Sequence, residues 1–122
     1  MNIYAQNILD RYKKPYHLSK KIDAQIIHRE ANHSCGDSVE VSIQMDGNKL
    51  TDYSFSGTGC AISMAAADML GDLIMNMKRE EALKLTKEDI YEMLGIEISL
   101  RRSKCALLSL LAVQNGLLDK II

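Results

Sequence analysis

Apolar and polar positions alternate most regularly over residues 39–45, where Val39, Val41, Ile43 and Met45 are interleaved with Glu40, Ser42 and Gln44. A period of two gives one dry and one wet face and predicts a strand. Asp46-Gly47-Asn48 follows as a hairpin turn, because Gly and Asn accept positive φ. Residues 49–56 return as a second strand with Tyr53 and Phe55 on one face, and residues 22–29 are a less regular strand candidate. Before the strands, Tyr4, Ile8 and Tyr12 recur at every fourth position beside Leu9, which predicts a helix over 3–13 stopped by Pro15. After Gly57-Thr58-Gly59 the period changes. Residues 60–77 are nearly all apolar or small, with Asp68 and Asp72 one turn apart, and read as a helix buried on most sides. Thr86 to Asp89 resembles a capping box opening a helix to Leu94, with Gly95 as terminator. A last helix is expected from Arg102 or Ser103 to Leu118, with Leu107, Leu111, Leu118 and their neighbours on its apolar stripe. The order predicts an α+β fold: a small antiparallel sheet of about three strands with helices packed on one face.

Composition narrows the function classes. With 122 residues, 47% hydrophobic and 25% charged, the chain is expected to form a single domain over 1–122 that buries a core without disulfide staples. It shows no internal repeat, low-complexity tract or linker. Fifteen basic residues balance sixteen acidic ones, so no global charge points to nucleic acid or an anionic membrane surface. No stretch approaches the roughly 20 apolar residues of a membrane span, and the opening residues lack an export signal. A soluble, cytoplasmic protein is expected.

The three cysteines, Cys35, Cys60 and Cys105, are an odd number and widely spaced, which speaks against a disulfide framework. Each falls at the edge of an element. Cys35 lies in the polar loop Asn32-His33-Ser34-Cys35-Gly36-Asp37, and Cys60 follows a Gly-x-Gly turn. Cys105 is expected in the first turn of the last helix, after Arg101, Arg102 and Lys104. Helix starts and neighbouring cations favour a thiolate over a thiol. Asp37 adds a carboxylate, so three sulfurs and one oxygen could complete a tetrahedral set for zinc, or for iron with bridging sulfide. Gly36, Gly57 and Gly59 flank these positions and allow tight loops. The spacing matches no local zinc finger, so any site must be gathered by the fold. Gly57-Thr58-Gly59 lacks the Lys-Ser/Thr of a phosphate loop. His33 reads as a solvent-facing loop residue sooner than a spare ligand, and His17 and His28 have no partner legible in the sequence. The methionines of 60–77 read as core. No hydrolase triad or paired catalytic carboxylates stand out.

These residues resemble those of the NifU/IscU-like iron–sulfur cluster assembly scaffolds, including the SufU branch, over nearly the whole chain. The opening helix with Tyr4 and Asp10-Arg11-Tyr12 before Pro15 is similar to the family's amino-terminal segment. Asn32 to Asp37 is similar to its Asn-Pro-x-Cys-Gly-Asp loop, with His33 in place of proline. Phe55-Ser-Gly-Thr-Gly-Cys60-Ala-Ile-Ser-Met64-Ala65 resembles its second cysteine motif, and Arg102-Ser-Lys104-Cys105-Ala-Leu-Leu its third. Lys104 stands where IscU-type members have histidine, as in the SufU type. The stretch between Cys60 and Cys105 is too short for the usual SufU insertion, and Ser99-Leu-Arg-Arg-Ser-Lys104 replaces the IscU-type Leu-Pro-Pro-Val-Lys segment.

The resemblance implies a non-enzymatic scaffold, or a sulfurtransferase in the zinc-bound variant, that receives sulfur from a cysteine desulfurase and serves iron–sulfur acceptor proteins. It implies Cys35, Asp37, Cys60 and Cys105 as ligands of a transient 2Fe-2S cluster or of Zn²⁺. Cys105 would be the persulfide acceptor, supported by Lys104 and Arg102. A homodimer is a further candidate assembly. A structural zinc or adaptor module without sulfur chemistry is the alternative from another class.

Overall fold

The computed structural model describes residues 3–34 and 36–119. Its elements are α1 (Ile3–Lys13), β1 (Ile26–Asn32), β2 (Asp37–Asp46), β3 (Lys49–Thr58), α2 (Ala61–Ile74), α3 (Arg79–Leu83), α4 (Lys87–Leu94) and α5 (Leu100–Asp119). The strands form an antiparallel meander in the order β1-β2-β3. Val39, Val41 and Ile43 of β2 face the helices and stand opposite Gly57, Phe55 and Tyr53 of β3. Helix α5 lies across β1 and β2, α2 packs on β3 and on α5, and α1 packs on α2. The expected α+β architecture is present.

Several boundaries differ from expectation. The first strand runs 26–32 instead of 22–29, because the inward positions His28 and Glu30 are satisfied by polar partners rather than by apolar ones. Asn115 of α5 donates to Glu30 Oε2 at 3.0 Å, and His28 contacts both Glu30 and Asp119. The helix expected to reach residue 77 ends at Ile74, where Asn76 adopts a φ of 67°. The chain then forms α3, a short helix absent from the apolar pattern, whose first turn is closed by Lys78 N–H donating to Glu81 Oε1 at 2.9 Å. The last helix starts at Leu100. Ser99 caps it by accepting the Arg102 N–H at 3.3 Å.

The stripe expected on α5 is present in part. Leu111 and Leu118 are 46% and 53% exposed, whereas Leu107 packs against the core and the buried face combines Leu108, Leu110 and Leu117 with small residues, among them Ala106, Ser109, Ala112 and Gly116. Small residues let α5 approach the sheet: a Cβ at Gly116 would sit 3.0 Å from His28 Cβ. The Thr86 capping box and the Gly95 stop are as expected, with Thr86 N–H donating to Asp89 Oδ2 at 2.8 Å and Gly95 at φ 72°.

A polar network fastens α1 and the following segment to α2. Arg11 donates to Asp68 Oδ2 at 2.8 Å and also bonds Asp72. His17 donates its backbone N–H to Asp68 Oδ1 at 2.8 Å. The His17 ring reaches Asp72 Oδ1 through Nε2 at 2.8 Å and Lys20 Nζ through Nδ1 at 3.4 Å. An ammonium can only donate, so Nδ1 accepts and Nε2 carries the proton. His17 and His28 therefore both have partners: Lys20 and Glu30 lie within three residues of them, whereas Asp72 and Asp119 are brought in by the fold. Burial alone would raise the Asp72 pKa, but the hydrogen bonds from Arg11 and His17 outweigh it and hold the carboxyl below its usual range.

A carboxylate with a depressed folded-state pKa stabilises the fold above its unfolded value, about 3.9, and loses that contribution as pH falls through the folded value. Thermal stability is therefore expected to decline on acidification below about pH 4, by less in Asp72→Asn than in the parent. Asp72 is half exposed, so solvent screens the effect. Melting curves from pH 6 to 2 check this; equal declines in both proteins would contradict it.

Candidate metal centre

One end of the sheet brings together three of the four predicted ligands. Asp37 is the first residue of β2, Cys60 is the N-cap of α2, and Cys105 is the sixth residue of α5. Their ligand atoms all lie within 4.8 Å of one another. Cys35 lies outside the described residues. Its neighbours Ser34 and Gly36 belong to the turn joining β1 to β2, where Gly36 N–H donates to Asn32 O at 3.0 Å and Gly36 takes a φ of 72°.

Local backbone chemistry explains the convergence. Gly57 pairs with Val39 at a φ of 150°, and a Cβ there would stand 2.1 Å from Ser38 O. Only glycine lets the end of β3 lie this close to the start of β2. The chain then leaves β3 at Thr58, and Cys60 starts α2 with extended backbone and no side-chain capping bond. Its sulfur is thus not committed to the helix. The positive end of a fourteen-residue helix stands behind it.

Cys105 departs from expectation. Because Ser99 caps α5, Cys105 sits in the second turn and not the first, and helix-end electrostatics fade within one turn. The helix-start rationale therefore holds for the place of Cys60 and not for that of Cys105, which is buried. Lys104 and Arg102 are exposed on the same helix. Lys104 borders a cleft of about 560 Å³ with His33, Ser34, Leu107 and Leu111. His33 is exposed there, as its loop position suggests, and is not in the ligand cluster found among the described residues. The missed signal for this region was Ser99, a good N-cap three residues ahead of Arg102. The outward position of Leu111 had no signal in the apolar pattern.

The donor set fits a metal. Asp37 is 5% exposed, and its Oδ2 is buried with no hydrogen-bond partner among the described residues. Such an oxygen is costly to leave unmatched and is suited to a cation. Zinc bonds of about 2.0–2.3 Å put tetrahedral donor atoms roughly 3.3–3.8 Å apart. The observed spread needs little contraction to reach that. Two sulfurs and a carboxylate oxygen suit zinc or iron and are a poor set for magnesium or calcium.

Comparison with known proteins identifies the family. The family model described as the NifU-like N terminal domain matches residues 3–119. The chain belongs to the NifU-like N-terminal domain family. A curated relative, the zinc-dependent sulfurtransferase SufU of Bacillus subtilis, is 31% identical, with 93% of this chain and 88% of that protein covered. The iron–sulfur cluster assembly scaffold protein IscU 1 of Archaeoglobus fulgidus is 27% identical, with coverage of 96% and 76%. Among solved structures, FiSufU from Fervidobacterium islandicum AW-1 superposes with a TM-score of 0.79 at 26% identity, covering 92% of this chain and 94% of that one. The NifU-like amino-terminal protein of Brucella abortus shares the fold, with a TM-score of 0.75 at 18% identity and coverage of 98% and 96%. This NifU-like chain has no helix among its described residues long and apolar enough to cross a membrane.

Proposed function

We propose that this chain is an iron–sulfur cluster assembly scaffold that receives sulfur from a cysteine desulfurase, assembles a transient 2Fe-2S cluster and passes it to acceptor proteins. The observation that carries this reading is the buried Asp37 carboxylate, one oxygen of which has no partner among the described residues, converging with Cys60 and Cys105 in a chain of this family. Cys35, two residues before Asp37, is the proposed fourth ligand. The work belongs in the cytoplasm, where thiols stay reduced.

Sulfur enters at Cys105 in this reading. Its thiolate attacks the outer sulfur of the desulfurase persulfide, the donor S–S bond breaks, and the desulfurase cysteine leaves as thiolate. Arg102 and Lys104 supply positive charge on the same helix. Conversion of that sulfur to bridging sulfide takes two electrons from an external thiol or electron carrier. The chain itself supplies ligands and a protected site but turns over no substrate. A carboxylate is a harder partner for cluster iron than a thiolate. Asp37 therefore provides the displaceable position through which the cluster departs. Asp37→Ala is expected to slow cluster loss, read as decay of visible absorbance in the presence of a chelator; faster loss would contradict this role.

A second reading is favoured by the SufU relative and by Lys104 preceding the third cysteine. In it a resident Zn²⁺ is held by Cys35, Asp37, Cys60 and Cys105 and masks the thiolates until a desulfurase displaces one. Metal and acid-labile sulfide analysis of anaerobically purified protein separates the two. Iron with equimolar sulfide supports the scaffold. One zinc per chain without colour, with desulfurase stimulation abolished by chelation, supports the sulfur acceptor. Bound metal with no desulfurase complex and no persulfide on Cys105 would instead indicate a structural module.

A further inference from the structure

One oxygen of the Asp37 carboxylate, Oδ2, is not held by a hydrogen bond among the described residues, although it is buried. Packing therefore contributes to the position of the carboxylate, and Gly59 lies against it. A Cβ at residue 59 would lie 3.0 Å from Asp37 Oδ1, 3.1 Å from Asp37 Cγ and 3.0 Å from Ser63 Oγ. Those separations are closer than a methyl and a carboxylate normally tolerate.

Gly59 differs in kind from Gly57. At Gly57 the obstacle is backbone, Ser38 O at 2.1 Å, and the φ of 150° is itself restrictive. Gly59 is not among the residues with positive φ, so its backbone suits alanine. What excludes a side chain at 59 is the ligand carboxylate on one side and a helix hydroxyl on the other. Ser63 is buried in α2 and has little room to retreat. The Asp37 side chain, with no hydrogen bond fixing Oδ2, is the group that must yield.

We infer that Gly59 is a positioning residue for the Asp37 ligand: the missing side chain gives the carboxylate its place beside the Cys60 and Cys105 sulfurs. The inference rests on the metal-site reading above. It gives a reason for glycine immediately before the second cysteine that does not depend on turn geometry. It also makes the strength of the fourth, displaceable ligand adjustable from a position that never touches the metal.

The test is a double-mutant cycle read by metal binding. Zinc affinity is measured by competition with a chromophoric chelator, and Co²⁺ is added separately so that its visible bands report the ligand field. The proteins are the parent, Gly59→Ala, Asp37→Ala, Gly59→Ala/Asp37→Ala and Cys60→Ala. Gly59→Ala is expected to lose about tenfold in zinc affinity, the low end of what misplacing a ligand's support costs. Its cobalt bands should shift toward those of Asp37→Ala. In the Asp37→Ala background the same substitution should change neither readout, because the group it displaces is gone. Equal losses in both backgrounds, or parent-like binding by Gly59→Ala, would overturn the inference while leaving the site intact. Should Gly59→Ala fail to fold, folding of the double variant would support the contact with Asp37, and failure of both would overturn it. Parent-like zinc binding by Cys60→Ala, or no binding by the parent, would remove the metal-site reading and the inference with it.

Discussion

Replacing Arg11 with alanine is expected to destabilise the fold by about 3–5 kcal/mol, the range found when one partner of a buried ion pair is removed. Asp68 is wholly buried in α2, and its two oxygens are matched by the Arg11 guanidinium and the His17 N–H. Without Arg11 a full negative charge would remain inside the protein with a single neutral donor. Asp72 is half exposed and can turn to solvent, so the cost falls mainly on Asp68. The pairing also shows in the Arg11 pKa: burial pulls it down, while the bonds to Asp72 and Asp68 raise it above its ordinary value overall. Arg11→Ala/Asp68→Asn removes both charges and is expected to recover part of the loss. Urea unfolding checks this, with a fall in midpoint at constant slope. A change below about 1 kcal/mol in Arg11→Ala would show that α1 is held chiefly by its apolar contacts.

The second large effect concerns the site and not the fold. Cys60→Ala is expected to lower zinc affinity by more than the roughly 10–100-fold that loss of a supporting residue costs, since a ligand itself is removed. Stability without metal should change little, by about 0.5 kcal/mol as for surface changes elsewhere. Cys60 is partly exposed and makes no side-chain capping bond to α2, so no cap is lost. Binding and stability are thereby separable at this residue. Unfolding of the metal-free variant, or unchanged zinc affinity, would contradict the assignment.

The parts of the fold that could be read from the sequence were those encoded by adjacent residues. The alternation at 39–45, the Asp46-Gly47-Asn48 turn and the Thr86 capping box each contain their own evidence. Elements held by distant partners could not be read this way. Strand β1 turns His28 and Glu30 inward because Asn115 and Asp119 meet them from the far end of the chain. The buried face of α5 mixes Leu108, Leu110 and Leu117 with small residues that pack closely on the sheet, so the apolar pattern did not show which leucines turn outward. The start of α5 turned on one serine before an exposed leucine, and that shift of a few residues moved Cys105 out of the first turn. At the site, the ligand types were visible and the sequence-distant Asp37, Cys60 and Cys105 do converge. The reason for Gly59 was not visible, because it lies in the space between β2 and α2.

The most direct test is anaerobic reconstitution with a cysteine desulfurase, cysteine, a thiol reductant and ferrous iron, followed by visible absorbance and by iron and sulfide analysis of the re-isolated chain. Cluster absorbance with equimolar iron and sulfide on the parent, transferred to an added apo-acceptor and absent from Cys60→Ala, is the predicted result. A colourless parent beside an active desulfurase, or equal cluster content on Cys60→Ala, would contradict assembly at this site.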